Sequence, residues 1–425
     1  MDSRNIKISL IVFFIVGGFG KYLWAYDVVN RYTLLEDKFK TEDMLRPVGH
    51  DWLLDITAAA NKNLKDIIDD VDEVKKKNTS TEKVTAAQDM LVRYKNTEQT
   101  ARAQVKIGIP LPSFSFGDVK LSPDLHASAN WGANMGIRSE TLTADTAFEL
   151  MDTTSMTPEI RAAVKQSFAT YTPGGAILSD SLCNSLTEPS KTACLNYPDR
   201  DKYRWPNIPD VPNIFAFTKL DFKGGLLFNY TIDNWFGYLD LYELHRTDYY
   251  LRLNADSIAH GRNIFANART LNSQLYLDLD YKLGFNYQRY TFFGVVEEVK
   301  LATLKERKPN SPVPRYGTDR LYRLQGQAKF QFPIVSFLPF IGVHKRSAYT
   351  LDRGFYLGGD IAATTWNDRL GLQFRTMIDR EHLTLSPRIR LWLIQLEYSL
   401  KKPLVTEIDD VKVSTLHSVD IRIFI

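Results

Sequence analysis

The side chains most able to do chemistry in this 425-residue chain are a short run of alternating charges. Asp278 and Asp280 lie two residues apart, and Lys282 follows two residues on. Residues i, i+2 and i+4 of a strand share a face, so these three would project together. Gln325, Gln327 and Lys329 repeat the spacing further along. On the inside of a closed sheet the six would line a lumen. They would act there either as a ladder of compensating charges or as a charge filter at a constriction. Nucleophilic catalysis needs a nucleophile and a base within hydrogen-bond reach. His417 and Ser418 are neighbours, and neighbours on a strand point to opposite faces. His245 and Asp248 are three apart and also oppose each other unless a bulge intervenes. With seven His in the chain such coincidences are expected. There is no P-loop, zinc spacing or dinucleotide fingerprint. The expectation is a protein that is not an enzyme, with no catalytic residues, no metal and no cofactor.

The only cysteines are Cys183 and Cys194, both in one polar segment. In an oxidising compartment two such thiols pair. A metal site is the competing reading, but no His lies nearby. Closing so short a loop contributes about 3 kcal/mol on a chain-entropy argument. The bridge would restrain a polar loop with no hydrophobic core of its own. The oxidising compartment is inferred from the first 25 residues, which read as a signal peptide. Arg4 and Lys7 precede an apolar stretch from Ile8 to Val16, and Leu23 and Ala25 precede a cleavage site before Tyr26. An uncleaved helical anchor is the alternative.

The elements that would position these residues are strands. From Val119 to Ile137 apolar and small residues take every odd position and hydrophilic or small ones every even position. Leu125, Ala127 and Trp131 stand against His126, Ser128 and Asn130. Nineteen residues at about 3.3 Å each reach about 60 Å, beyond the usual soluble strand. The pattern recurs over Leu220–Tyr230, Leu275–Tyr287, Tyr322–Phe332 and Leu370–Ile378. One solvated face of an antiparallel sandwich or soluble barrel would alternate in the same way. Strand length, export and 52 aromatic residues, 21 of them Tyr, favour a sheet closed in a membrane. No apolar run beyond the first twenty residues reaches the roughly 18 needed for a spanning helix. The net charge of +3 gives no case for nucleic acid.

The pattern predicts a mainly β fold: a transmembrane antiparallel β-barrel of about 12 strands, or 12–14. The strands are 103–112, 118–138, 214–231, 235–254, 272–290, 291–304, 320–332, 336–349, 353–366, 369–379, 382–402 and 413–425. Splitting 235–254 or 382–402 would raise the count. In the second, alternation changes phase between Leu393 and Ile394, which a bulge or a turn would explain. Tight turns are expected at Asn367-Asp368 and at Asp379–Glu381. Residues 26–101 are expected to be helical. A hairpin pairs Leu64, Ile67, Ile68, Val71 and Val74 with Val84, Ala87, Met90, Leu91 and Tyr94, and Thr79 is among the residues placed to cap its second helix. The hairpin would be a plug, a periplasmic lid or a self-contained domain. Residues 102–425 make the barrel. The segment 139–212 is a long loop, expected outside the cell, with short helices at Ala147–Met151 and Thr157–Thr170.

The last strand alternates Val419, Ile421, Ile423 and Ile425 with Ser418, Asp420 and Arg422. It resembles the closing strand of bacterial outer-membrane β-barrel proteins, with Phe424 penultimate where that class usually ends in an aromatic residue. The resemblance covers roughly residues 103 to 425. It implies the outer membrane of a Gram-negative bacterium, lipid contact and the barrel assembly machinery as partners. More weakly, the chain is similar to channels of the long-chain fatty-acid transporter type, which hold an N-terminal helical segment inside the barrel. The Asn-Pro-Ala signature of that group is absent. The expected function is a channel or transporter for small solutes, hydrophobic ones included. The alternatives are a closed barrel serving as a structural or adhesive platform and, less favoured, a barrel enzyme.

Overall fold

The computed structural model describes residues 27–46, 53–141, 143, 156–198, 200–205, 210–259, 271–307, 316, 319–365, 370–408 and 410–424. The signal segment, the cleavage site, the helix expected at Ala147–Met151 and the turn at Asn367-Asp368 lie outside them.

The chain opens with helix α1 (Val28–Leu45), followed by strand β1 (Leu53–Asn61) and the hairpin α2 (Leu64–Lys75) and α3 (Ser80–Arg93). The wall continues through β2 (Thr97–Pro110), β3 (Val119–Thr141), β4 (Asp210–Ile232), β5 (Trp235–Leu253), β6 (Leu271–Tyr287) and β7 (Tyr290–Arg307). It goes on through β8 (Leu321–Ala328), β9 (Val335–Lys345), β10 (Phe355–Thr365), β11 (Leu370–Asp379), β12 (His382–Leu391), β13 (Ile394–Pro403) and β14 (Leu416–Phe424). Each of the fourteen is antiparallel to its neighbours, and β14 pairs with β1 through Ile56 and Ile421 to close the barrel.

The expected count of about twelve is therefore corrected to fourteen. One extra strand is β1, inside the segment expected to be helical. Its Leu-Asp-Ile-Thr-Ala-Ala-Ala core alternates weakly, and a run of Ala favours helix over sheet in isolation. Its place is set instead by the two ladders it completes, to β2 and β14. The other comes from 382–402, where the phase change is a turn at Trp392 and Leu393, with Trp392 at φ +52°. Strand 235–254 stays whole.

The wall is turned inside out relative to a water-soluble protein. Arg323 is 2% exposed, and its neighbour Leu324 is 64% exposed. Arg375 is 2% exposed and Leu372 54%. Outward apolar residues and inward charges recur around the ring, as the alternation predicts. Trp235, Tyr287, Phe292, Phe332 and Trp392 form an outward aromatic girdle near one end. That end has two-residue turns at Asp233-Asn234, Gln288-Arg289 and Trp392-Leu393. The opposite end carries the long connections, 62–96 and 142–209 among them. These are called the turn end and the loop end below.

The wall is also uneven. Strands β3 to β7 have 17 to 23 residues, and β9 to β14 have 9 to 11. About 9–11 tilted residues cross a bilayer. The long wall therefore overhangs at the loop end. Its outward side there is covered by α2 and α3, whose Ile67, Val74, Ala87, Met90 and Leu91 pack with Ile137 and Ile214. The hairpin is real and capped as expected by a Thr79–Glu82 box, but it clasps the outside of the barrel and is not a plug.

Cys183 and Cys194 are bonded, as expected. The expectation of a coreless loop is overturned. Met156, Ile160, Val164, Ile177, Leu178, Tyr197 and Trp205 bury around the bridge and make a small core of their own. Their spacing is irregular because the segment folds as short helices and turns rather than as one periodic element.

Candidate functional site

A fourteen-stranded barrel is wider than the eight-stranded kind that side chains alone can fill. Here α1 occupies the space. Asp27 caps it by accepting the amides of Val29 and Asn30. A helix in a polar lumen needs charges on every side rather than one apolar stripe, and α1 supplies them.

Arg31 pairs with Glu98 of β2 at 2.8 Å and with Glu381 at 2.6 Å. Lys38 reaches Asp379 and Glu381 at 2.9 and 2.8 Å. Asp37 takes both guanidinium branches of Arg346, each at 3.0 Å, and the Tyr349 hydroxyl at 2.9 Å. Glu42 holds Lys401 of β13 at 2.7 Å. Near the helix end Asp43 meets Arg102 of β2 at 3.2 Å, and Arg46 meets Asp420 of β14 at 2.9 Å. Glu36 accepts from Asn130 of β3 at 2.7 Å. Lys40 bonds Glu298 of β7. The contacts fall on opposite walls, so the helix is braced across the lumen. Above them Tyr32 packs on Phe217 at 5.1 Å and on Tyr316 at 5.8 Å between ring centres.

These pairs are almost fully buried. Burying two charges costs nearly what their attraction returns, so their number is weak evidence of stability. Losing one partner is different, because the other is left buried and uncompensated. The set therefore fixes where the helix sits more than how stable the barrel is. Glu381, in the turn between β11 and β12, illustrates the balance. Burial pushes its carboxyl up, yet Arg31 and Lys38 hold it well below the usual carboxylate range.

Beside α1 a cavity of about 530 Å³ follows the inner face of β2 to β7. Asp280 and Lys282 line it, as predicted from their shared face. Asp280 bonds Lys223 at 2.9 Å and the Tyr242 hydroxyl at 2.7 Å. Asp240 joins them through Lys223 at 2.7 Å and His126 at 2.6 Å. Lys282 lies over the rings of Phe236 and Phe293, 5.4 and 4.3 Å from their centres. Asp278 is buried on the same face, outside the cavity lining. Gln325 accepts from the Tyr356 hydroxyl and donates to Gln327 on the inner side of β8. Lys329 is exposed in the break after β8, where its amide donates to Arg289 at the turn end. The predicted set is thus split: Asp280 and Lys282 at the cavity, Asp278, Gln325 and Gln327 elsewhere on the inner wall, Lys329 at the turn end.

Sequence reasoning placed residues 28–45 in a helical segment but resolved only the hairpin within it and gave α1 no helix of its own. A signal was present: charged residues at 31, 36, 37, 38, 40, 42, 43 and 46 follow the Asp27 cap. The two strand pairs weighed for catalysis split across the wall as expected. His417 bonds the Tyr398 hydroxyl at 2.6 Å on the outer face, while Ser418 is buried inside. His245 is outward beside Phe222 and Asp248 is buried.

No family model and no curated protein sequence matches the chain. Solved structures with some likeness include CdiB from Acinetobacter baumannii, 9% identical with a TM-score of 0.32. That match covers 88% of this chain, which spans only 59% of the length of CdiB. A mutant of the Rhodopseudomonas blastica porin is 7% identical with a TM-score of 0.28, over 88% of this chain and 99% of the porin. Its own closed ladder and apolar exterior make the chain a closed antiparallel β-barrel with a membrane-type outer face.

Proposed function

We propose that this protein is a channel of the Gram-negative outer membrane, held closed by α1 and open to small hydrophilic solutes when α1 shifts. The observation that carries the reading is the brace of buried ion pairs from α1 to opposite walls of the lumen. A brace of ion pairs can exchange its partners for water and solute ions. Charged lumen walls favour hydrophilic over hydrophobic solutes. The turn end would face the periplasm and the loop end the outside, following the usual asymmetry of bacterial barrels. On that orientation α2, α3 and the disulfide-bonded core stand outside the cell. Contact with lipid and insertion by the barrel assembly machinery follow from the class, and no step of the reading needs an enzyme.

Planar-bilayer conductance tests the closure. A chain lacking residues 27–46 should conduct ions steadily, and the whole chain should stay mostly closed. Equal conductance from both would sink the plug. A second reading is favoured by the core around Cys183 and Cys194. A loop that folds on its own could serve as a docking module on a closed barrel. Silence of both chains in the bilayer would support that reading.

A further inference from the structure

The turn between β11 and β12 gathers three metal-ligating side chains. Asp379 ends β11, Glu381 lies in the turn and His382 opens β12. Their ligand atoms all lie within 4.8 Å of one another. His382 Nδ1 stands 3.9 Å from Asp379 Oδ1 and 4.0 Å from Glu381 Oε2. Two tetrahedral ligands about 2.1 Å from one Zn²⁺-like ion are about 3.4 Å apart, so a shift of about half an ångström in each side chain would bring both separations to a shared ion. The turn is also preformed. The amides of Glu381 and His382 donate to Asp379 Oδ1 at 2.7 and 3.0 Å.

A cation already sits there, and it belongs to the helix. Lys38 Nζ lies 2.9 Å from Asp379 and 2.8 Å from Glu381, as a tethered monovalent ion would. It leaves part of the site unused. His382 is 2% exposed, and its Nδ1 has no hydrogen-bond partner among the described residues. A metal ligand must be the neutral imidazole. A divalent ion in place of the ammonium would use its free nitrogen. Mixed imidazole and carboxylate donors suit first-row divalent ions.

We propose that Asp379, Glu381 and His382 form a site for a first-row divalent cation of the Zn²⁺ type, and that this ion competes with the Lys38 ammonium. The site adjoins Arg380, whose side chain is 60% exposed at the loop end, so an ion has a short way in. Occupancy would detach Lys38 and remove its ion pairs from those that brace α1 against the wall. That consequence rests on the plug reading; the site does not.

The test uses the full chain in detergent, titrated with Co²⁺ and read by d–d absorption, with Zn²⁺ as the displacing ion. Lys38→Met removes the competitor and should bind Co²⁺ at least tenfold more tightly than the parent. Adding His382→Ala should weaken binding at least tenfold. No Co²⁺ binding by Lys38→Met, or binding indifferent to His382→Ala, overturns the proposal. Heat-modifiable gel mobility reports the fold of each variant. If Lys38→Met does not fold, the parent and the single His382→Ala variant carry the comparison. Saturable binding that weakens tenfold supports the site, and equal or absent binding overturns it. Conductance with Zn²⁺ is read separately. Co²⁺ binding as expected with no change in conductance keeps the site and removes the plug.

Discussion

The two helical regions between the chain start and β2 obey opposite rules. Helices α2 and α3 bury an apolar stripe against the outer wall and leave their charges in water, as at Lys65–Asp69, 82% and 58% exposed. Helix α1 buries its charges, with Lys38 and Glu381 each 3% exposed. Apolar periodicity marks a helix that meets an apolar surface. It is silent for a helix whose surroundings are a ring of carboxylates and guanidinium groups. The difference also separates the jobs: apolar packing holds a part in place, and exchangeable ion pairs set a position that can change.

The sharpest way to break this comparison is to remove one charge from α1. Asp37→Ala strips the buried Arg346 of the carboxylate on its Nε and Nη2, with Glu298 at 3.1 Å and the Asp319 carbonyl still on its Nη1. Stranding a buried charge costs about 3–5 kcal/mol. The expected outcome is a lower melting temperature for the lumen-bound helix, together with conductance bursts. An unchanged melt would mean that water already shares the site.

The matching change in the hairpin is Leu91→Ala. Leu91 is fully buried in the outer clasp. Its truncation should cost about 2–5 kcal/mol through the cavity it leaves. Protease sensitivity of 62–96 should rise, with the lumen still closed. Conductance bursts in this variant would show that hairpin and plug are coupled, and the separation drawn above would fail.

The wall was readable because its period is two and its two solvents differ. The odd face of 119–137 and the inward phase of Asp280 and Lys282 follow from that alone. Which base each acid meets was not readable. The Lys223–Asp280 pair spans 57 residues and is set by the registers of β4, β5 and β6, and Arg346–Asp37 spans 309 and is set by where α1 sits in the lumen. Strand β1 was hidden for a related reason. Nine residues with three alanines carry little pattern of their own, and two neighbouring ladders supply the rest. The core around the disulfide was hidden because short helices leave no period to detect.

The wall itself offers the next contrast. Ala127 is outward and Ser128 faces the cavity. Arg at Ala127 should cost ~2–4 kcal/mol if it lies near the bilayer midplane, and less toward an interface. Arg at Ser128 enters a hydrated space of about 530 Å³ and should cost little. Urea titration of refolding into vesicles measures both. Equal costs would argue against a lipid-facing exterior.

The smallest effect expected is at Lys65. Its Nζ is 2.7 Å from Asp69 Oδ2, as close as many pairs in the lumen. Distance alone would rank it with Lys38, whose contacts are 2.9 and 2.8 Å. Environment separates them. Lys65 and Asp69 are both solvated, so water screens the attraction and added salt screens it further. Ordering two long side chains also costs rotamer entropy. Lys65→Ala should therefore leave the hairpin's melting temperature and its protease pattern unchanged, at low salt and at high salt. Lys38→Met should shift the melt of α1 at both. A salt-dependent loss at Lys65 as large as the one at Lys38 would mean that the hairpin also depends on its charges, and the two helical regions would then differ in location alone.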